Sequence, residues 1–268
     1  MDGTEDIKRI VICSAVGGVG RTSVTVNLAA LLANQYIKVS VVDADLQFGD
    51  IALAMDLQPS RTIKDAAERK DIENINFYML EHHSGVKVLP APDRPEFAEL
   101  ISPDFLSNIA DKLEENTEYL LIETQSGLHD MNIQLMENAD LILVVSTPAM
   151  ASLKNTKLMI ETLDSLGLKH LVRLVVNKFT AQTAIRPKDM AELTNSDQAI
   201  FLSFADRLMD QSLDTGIPFI ISHPKTAFTK DLEKAAGMLH LYNPKKTKTK
   251  EKSGFLHQLR IREAGQGG

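Results

Sequence analysis

A glycine-rich segment near the amino terminus constrains the fold of this 268-residue chain more than any other feature. The segment reads AVGGVGRTS from Ala15 to Ser23 and lies between an apolar run, residues 10–13, and a stretch of helical periodicity, residues 24–33. Glycine lets backbone N–H groups close around an anion, and the first turn of a helix adds positive potential. A strand, this loop and a helix in that order predict a site for phosphate groups.

The loop departs from the common pattern G-x-x-x-x-G-K-[ST] at two positions. Ala15 replaces the first glycine, and Arg21 replaces the lysine. Arginine keeps the positive charge but presents a planar fork instead of a compact ammonium group. The predicted phosphate-binding residues are Gly17, Gly18, Val19, Gly20, Arg21, Thr22 and Ser23.

Apolar runs of strand length alternate with segments of helical periodicity along the chain. The predicted strands are residues 9–15, 38–43, 86–90, 119–123, 141–146, 171–177 and 218–221. The predicted helices are residues 24–34, 63–69, 103–115, 152–166, 188–194 and 229–239. Near-continuous apolar strands suit a parallel sheet that is covered on both faces. We therefore expect an α/β fold, with a doubly wound, mostly parallel sheet and helices on both faces, over residues 1–242.

Carboxylates follow two of the predicted strands. Asp43 and Asp45 close the second strand, and Glu123 closes the fourth. At the carboxyl edge of a parallel sheet these groups are expected to meet the loop, where they suit Mg²⁺ and a positioned nucleophile. We assign Thr22, Asp43 and Glu123 to the metal and Asp45 with Arg21 to catalysis. The alternative is that they are ordinary solvated strand ends.

Composition excludes several classes of protein. Cys13 is the one cysteine, within an apolar run, which excludes an intrachain disulfide and favours a reducing compartment. The first residues lack the pattern of a signal peptide, so we expect a cytoplasmic location. His82 and His83 have no third ligand at a suitable spacing, so a metal site there is not expected.

The last part of the chain, residues 243–268, reads as a flexible basic tail with a short amphipathic segment. Residues 244–262 carry seven basic side chains and one acidic one, a net charge of +6. Because the whole chain has a net charge of −7, the residues outside this segment carry a net charge of −13. Such an acidic body argues against specific nucleic-acid binding. Phe255, Leu256 and Leu259 fall on one helical face, which suits peripheral membrane contact; a disordered tail or a protein-docking helix are the alternatives.

Across residues 7–241 the chain resembles the MinD/ParA superfamily of P-loop ATPases. Gly17, Gly18, Gly20 and Thr22 match its loop K-G-G-x-G-K-[ST]. The segments 42–53, 88–96 and 175–178 resemble the CpaE/TadZ-like branch, which is linked to pilus and secretion assembly. The resemblance implies ATP or ADP with Mg²⁺ as cofactors, and it places Asn177 and Pro218 at the adenine base.

The resemblance also implies a homodimer in which the first loop lysine reaches the partner's phosphates. Val16 stands at that position and has no charge. We therefore expect a nucleotide-binding localisation or assembly scaffold of the CpaE/TadZ type, with weak or absent hydrolysis. The alternative is an active MinD/ParA-type ATPase for spatial placement of a division site, flagellum, pilus or DNA cargo. Metabolic P-loop enzymes such as the nitrogenase iron protein need cluster cysteines that this chain lacks.

Overall fold

A computed structural model describes residues 8–196 and 199–241. The predicted basic tail at 243–268, with its amphipathic segment, lies outside the described residues. So do residues 1–7 and 242 of the predicted nucleotide-binding domain.

In the described part of the chain, eight strands form one sheet, and they alternate with helices. The strands are β1 (Arg9–Cys13), β2 (Val39–Ala44), β3 (Leu80–Glu81), β4 (Lys87–Leu89), β5 (Tyr119–Thr124), β6 (Leu141–Ser146), β7 (Val172–Phe179) and β8 (Ala199–Ser203). The α-helices are α1 (Arg21–Ala33), α2 (Ile51–Ala54), α3 (Ile63–Arg69), α4 (Pro103–Glu114), α5 (Asp130–Glu137), α6 (Met150–Ser165), α7 (Pro187–Leu193), α8 (Asp206–Asp214), α9 (Phe219–Ser222) and α10 (Ala227–Met238). Short 3₁₀ turns lie at Ile75–Tyr78, Pro95–Leu100 and Lys169–Leu171.

The sheet order is β3-β4-β2-β5-β1-β6-β7-β8, and each pairing is parallel except β3 with β4. This arrangement confirms the predicted doubly wound, mostly parallel sheet. Because the sheet is parallel, the carboxyl ends of β1, β2, β5 and β7 meet at one edge. The β2–β5 register puts Asp43 directly beside Glu123 on that edge.

Both faces of the sheet are covered, as the apolar strands predict. In β1, Ile10 and Ile12 pack into one hydrophobic cluster with α1 and α10, while Val11 and Cys13 pack into the other with α4 and α6. The alternation follows from successive side chains pointing to opposite faces of a strand. In the described part of the chain, no helix combines the length and apolar character needed to cross a bilayer.

One predicted strand is wrong. Residues 218–221 form a turn and the start of α9, and the sheet gains β8 at Ala199–Ser203 instead. The amides of Ile221 and Ser222 donate to the Pro218 carbonyl, and Ile220 N–H donates to Asn27 Oδ1, so these groups do not pair with a strand. A short apolar run after a proline carries too little periodicity to separate a buried helical turn from a strand.

The remaining predicted strands and helices agree with the structure to within three residues at each end. The sequence did not predict α2, α5, α8 or the two-residue β3. α2 and β3 are too short to carry a clear period. α8 does carry one, since Met209 and Leu213 lie one turn apart and pack on the core, and this signal was overlooked.

Candidate functional site

The glycine-rich loop connects β1 to α1 at the carboxyl edge of the sheet. Gly18 and Gly20 have φ values of 73° and 88°, in the left-handed region that favours glycine. A Cβ atom at Gly20 would lie 2.4 Å from Asn177 Nδ2, so this position also requires the absence of a side chain. The first turn of α1 has no side-chain cap. Its free N–H groups are therefore available to an anion.

Arg21 does not extend freely from the loop. Its Nη2 lies 3.0 Å from Asp45 Oδ2, and its Nε lies 4.0 Å from Glu123 Oε1. The side chain is 12% exposed, and its Nη1 is buried without a hydrogen-bond partner. The two residues assigned to catalysis from the sequence are therefore joined in an ion pair.

Thr22 connects two carboxylates. Its Oγ1 lies 2.7 Å from Glu123 Oε1 and 2.9 Å from Asp50 Oδ1. A hydroxyl group has one proton, so it donates to only one of these oxygens at a time. Burial raises the pKa of Glu123 to about 7, against the lowering effect of the hydrogen bonds from Thr22 and Thr25 and of the Arg21 charge. Near neutral pH the carboxyl group of Glu123 is therefore protonated in part of the molecules, and the Thr22 hydroxyl is then free to donate to Asp50.

Asp43 lies near the carboxyl end of β2, where it is buried beneath the loop that follows and does not line the cavity. Its carboxylate accepts hydrogen bonds from the amides of Ile51 and Asp45, at 3.1 and 3.3 Å. Burial raises its pKa well above the usual range, and the negative charge of Glu123 adds to the shift. A Cβ atom at Gly49 would lie 2.3 Å from Asp43 Oδ1, so the loop closes tightly over the carboxylate. In this conformation Asp43 orders the loop that presents Asp45 and Asp50, and its role as a metal ligand stays a prediction.

Asn177 and Lys178, at the end of β7, contact the loop from the opposite side. Asn177 Nδ2 donates to the Val19 carbonyl at 2.9 Å, and Lys178 Nζ donates to the Gly18 carbonyl at 3.0 Å. Asn177 is buried, as its predicted place beside a base requires, whereas Lys178 is exposed.

These groups enclose a cavity of about 440 Å³. One end is polar and contains the loop, Asp45 and Asp50. The other end is largely apolar and is lined by Phe204, Ala205, Met209, Leu213 and Phe228. A polar phosphate end joined to an apolar end is the shape that a nucleotide requires. The parallel sheet, the glycine-rich loop and the acidic strand ends together define a P-loop nucleotide-binding protein.

Comparison with known proteins identifies the family. A family model for ParA, described as NUBPL iron-transfer P-loop NTPase, matches residues 6–240. The chain belongs to this ParA family of P-loop NTPases, and the MinD/ParA membership expected from the loop is confirmed.

Individual relatives agree with this assignment. The chain is 25% identical over 252 residues to an uncharacterized ATP-binding protein of Methanocaldococcus jannaschii, covering 93% of this chain and 94% of that protein. It is 27% identical to the septum site-determining protein MinD of Thermotoga maritima over 173 residues, 63% of this chain and 64% of the relative. The fold matches MinD of Pyrococcus horikoshii, solved with Mg-ADP, with a TM-score of 0.77 at 22% identity, covering 87% of this chain and 96% of that one.

The residues present fit the cofactors of the family, a nucleotide of the ATP/ADP pair and Mg²⁺. Arg21, which lines the cavity, has a buried Nη1 without a hydrogen-bond partner, and Glu123, which contacts Thr22 of the lining, has a buried Oε2 without one. Such orphaned atoms are costly unless a ligand satisfies them. The described residues hold no group of three or more His, Cys, Asp or Glu side chains arranged for a metal ion. A P-loop Mg²⁺ does not need one, because phosphate oxygens and water supply most of its ligands.

The structure brings together most of the residues that the sequence assigned to the site. Arg21 contacts Asp45 and Glu123, and Glu123 in turn accepts a hydrogen bond from Thr22. Pro218 lies in the turn before α9, and the cavity lining at the apolar end comes from α8, α10 and the end of β8 instead. Asp50, Lys178 and the apolar residues of α8 were missed. Asp50 carried a signal, since it closes the same acidic segment as Asp43 and Asp45.

Proposed function

We propose that this protein binds ATP and ADP with Mg²⁺ in the cavity and hydrolyses ATP slowly, acting as a nucleotide-controlled organiser of the CpaE/TadZ type. Its task is the spatial positioning or assembly of a partner structure such as a pilus or secretion machine. Membership of the ParA family and similarity to a septum site-determining protein support a positioning role.

The ion pair between Arg21 and Asp45 carries the proposal of slow turnover. Catalysis of phosphoryl transfer needs a cation directed at the transferring phosphoryl group and a group that orients the attacking water. In this chain the two side chains proposed for these tasks neutralise each other at 3.0 Å. Either one is available only after the pair opens. Val16, at the first lysine position of the family loop, packs against the hydrophobic core.

The other residues take roles in binding. The amides of the loop and of the first turn of α1 hold the phosphate groups, as glycine conformations and helix polarity favour. Thr22 and Glu123 would hold Mg²⁺, which would supply charge stabilisation at the phosphate oxygens, and Asp43 orders the loop behind them. Asn177 positions the base next to the apolar end of the cavity, which α8, α10 and the end of β8 line.

An active positioning ATPase is the second candidate, and one observation favours it. Thr22 contacts both Glu123 and Asp50, and Asp45 is joined to Glu123 through Arg21, which supports a site able to hold Mg²⁺ and an attacking water. A cation that leaves Asp45 when nucleotide binds would then suffice for turnover.

Phosphate release separates the two candidates. We expect the native protein to be at least about 100-fold slower than the double variant Val16→Lys/Arg21→Lys, because each restored ammonium contributes a preorganised charge. Val16→Met is the matched control, since it adds length without charge. Light scattering on the same variants with ATP reports homodimer formation, which we expect the double variant to favour. Native phosphate release as fast as that of a double variant that hydrolyses ATP would establish the active ATPase instead.

An iron-transfer role, as in the description of the matching family model, has little support in the residues. Cys13 is the single cysteine of the chain, and burial raises the pKa of its thiol to about 12. Iron–sulfur clusters are held by thiolates, and this group is both inaccessible and protonated at neutral pH.

We further infer that the protein acts with a protein partner at the cytoplasmic side of a membrane. Specific nucleic-acid binding is not part of the proposal, because the chain outside its basic tail is strongly acidic. Vesicle co-sedimentation of the full chain, compared with a chain ending at residue 242, tests the membrane contact of the tail. Equal sedimentation of the two chains would contradict it.

A further inference from the structure

Lys178 occupies an unusual position at the mouth of the cavity. It follows Asn177 at the end of β7, where the pairing with β8 shifts register. Its φ is 57°, in the left-handed region that non-glycine residues seldom adopt. Such a conformation persists where its surroundings hold it, and it often marks a functional site. Lys178 is exposed and lines the cavity beside Gly18 and Gly20.

The contact of Lys178 with the loop leaves most of its hydrogen-bonding capacity unused. Nζ donates to the Gly18 carbonyl at 3.0 Å. An ammonium group has three donors, so two remain for a ligand. Because Asn177 holds the next carbonyl, that of Val19, the end of β7 fixes two consecutive peptide groups of the loop. Their N–H groups point away from these contacts, since N–H and C=O are opposed in a trans peptide.

The charges around the cavity make this lysine the available cation. Among the described residues that line the cavity, Arg21 and Lys178 are basic, whereas Asp45, Asp50 and Asp210 are acidic. Arg21 is held by Asp45. Lys178 has no carboxylate within ion-pair distance in the described part of the chain, and its one described contact is a neutral carbonyl. A phosphate chain entering this acidic cavity requires a cation that is not already neutralised.

We propose that Lys178 receives the phosphate chain of the nucleotide and thereby selects phosphorylated ligands over nucleosides. This inference rests on the proposed nucleotide binding. It adds a positive group, supplied by β7, that compensates for the absence of both loop lysines at positions 16 and 21. On nucleotide binding the Lys178 ammonium turns from the Gly18 carbonyl to the phosphate oxygens, because the loop N–H groups that hold phosphate face the other side of these peptides.

The test compares ADP with adenosine, each labelled with the same fluorophore on the ribose, by fluorescence titration of native protein, Lys178→Met and Lys178→Arg. Lys70→Met is the matched control, because Lys70 is also an exposed lysine in the left-handed region (φ 52°), at the end of α3. We expect Lys178→Met to weaken ADP binding about tenfold or more, as loss of a charge-assisted hydrogen bond does, and to leave adenosine binding unchanged. Lys178→Arg should recover most of the ADP affinity, and Lys70→Met should behave as the native protein.

The outcomes separate this inference from the proposed function. If the native protein binds ADP and Lys178→Met keeps the same ratio of ADP to adenosine affinity, Lys178 only supports the loop and the inference fails alone. If the native protein binds neither ligand, the proposed nucleotide binding fails, and the inference with it. A weaker dependence of ADP affinity on salt in Lys178→Met would independently support the phosphate contact.

Discussion

Arg9, which is buried, and Arg21, which is partly buried, lie at opposite ends of the strand–loop–helix unit, and one contributes to stability while the other lies in the candidate site. Arg9 begins β1 at the amino edge of the sheet, with Nη2 2.6 Å from Asp111 and Nε 2.5 Å from Glu114. Arg21 begins α1 at the carboxyl edge, where it has one close carboxylate, Asp45, and an unpaired Nη1. The same residue type is thus satisfied by the fold at one edge and left incomplete at the other. Unsatisfied groups at a rigid edge are what a ligand can complete.

The largest expected effect is the difference in stability between replacements of these two arginines. Arg9→Met removes two charge-assisted hydrogen bonds and leaves Glu114 partly buried, so we expect a loss of about 3 kcal/mol in the free energy of unfolding. Arg21→Met should cost about 1 kcal/mol, because it breaks one pair and also removes a buried, unsatisfied donor. Urea unfolding of both variants, without nucleotide, measures the difference.

Equal losses in the free energy of unfolding of the two variants would contradict the proposed difference between Arg9 and Arg21. Lys112→Met provides a control on the surface. Its Nζ pairs with Glu73 and Glu115, both largely exposed, so its loss should cost well under 1 kcal/mol.

The second effect is a dependence of stability on pH that originates at the carboxyl edge. Burial raises the pKa of Glu123 from 4.5 to about 7 in the folded chain. The folded state therefore binds more protons than the unfolded state between these values, and stability falls as pH rises through this window. We expect the contribution of Glu123 to decrease by about 2 kcal/mol between pH 5 and pH 7.

Glu123→Gln isolates this contribution, because the amide keeps the shape of the side chain and does not titrate. Urea unfolding across the pH range, with chelator and without nucleotide, should give native protein a steeper fall than the variant. Parallel curves for the two proteins would contradict the assignment of the proton to Glu123. Added Mg²⁺ should flatten the native curve, because the ion favours the ionised carboxylate.

Much of this fold could be predicted from the sequence because its strands are buried on both faces. Continuous apolar runs such as residues 141–146 stand out against polar surroundings, and β6 has the predicted bounds. The strand predicted at residues 218–221 was wrong because these residues are not buried in the sheet. Their apolar side chains are buried by α1 and α10 rather than by sheet neighbours, and the choice of helix depends on Asn27, far away in the sequence.

The site was predictable where chemistry and spacing coincide, and less so where conformation decides. The loop, Thr22 and Glu123 follow from strand ends that must meet at one edge of a parallel sheet. The pairing of Arg21 with Asp45 depends on side-chain direction, which the sequence does not encode locally. The left-handed backbone conformation of Lys178 could not be predicted either, because lysine has no preference for it.

The smallest expected effect tests the closest approach between the two sides of the cavity. Gly20→Ala places a Cβ atom 2.4 Å from Asn177 Nδ2, at a φ of 88° that alanine adopts with strain. Asn177 must then move, and its hydrogen bond to the Val19 carbonyl is lost. We expect ADP affinity to fall about tenfold, equivalent to about 1.4 kcal/mol, measured by fluorescence titration.

Gly17→Ala is the matched control within the same loop. A Cβ atom at Gly17 meets no atom within 4 Å, and its backbone is outside the left-handed region. Its ADP affinity should therefore stay within about twofold of the native value. If both alanine variants bind ADP equally well, the contact between β7 and the loop does not determine the shape of the phosphate site. The difference between the amino edge, where the polar groups are paired, and the carboxyl edge, where they are not, then depends on Arg21 alone.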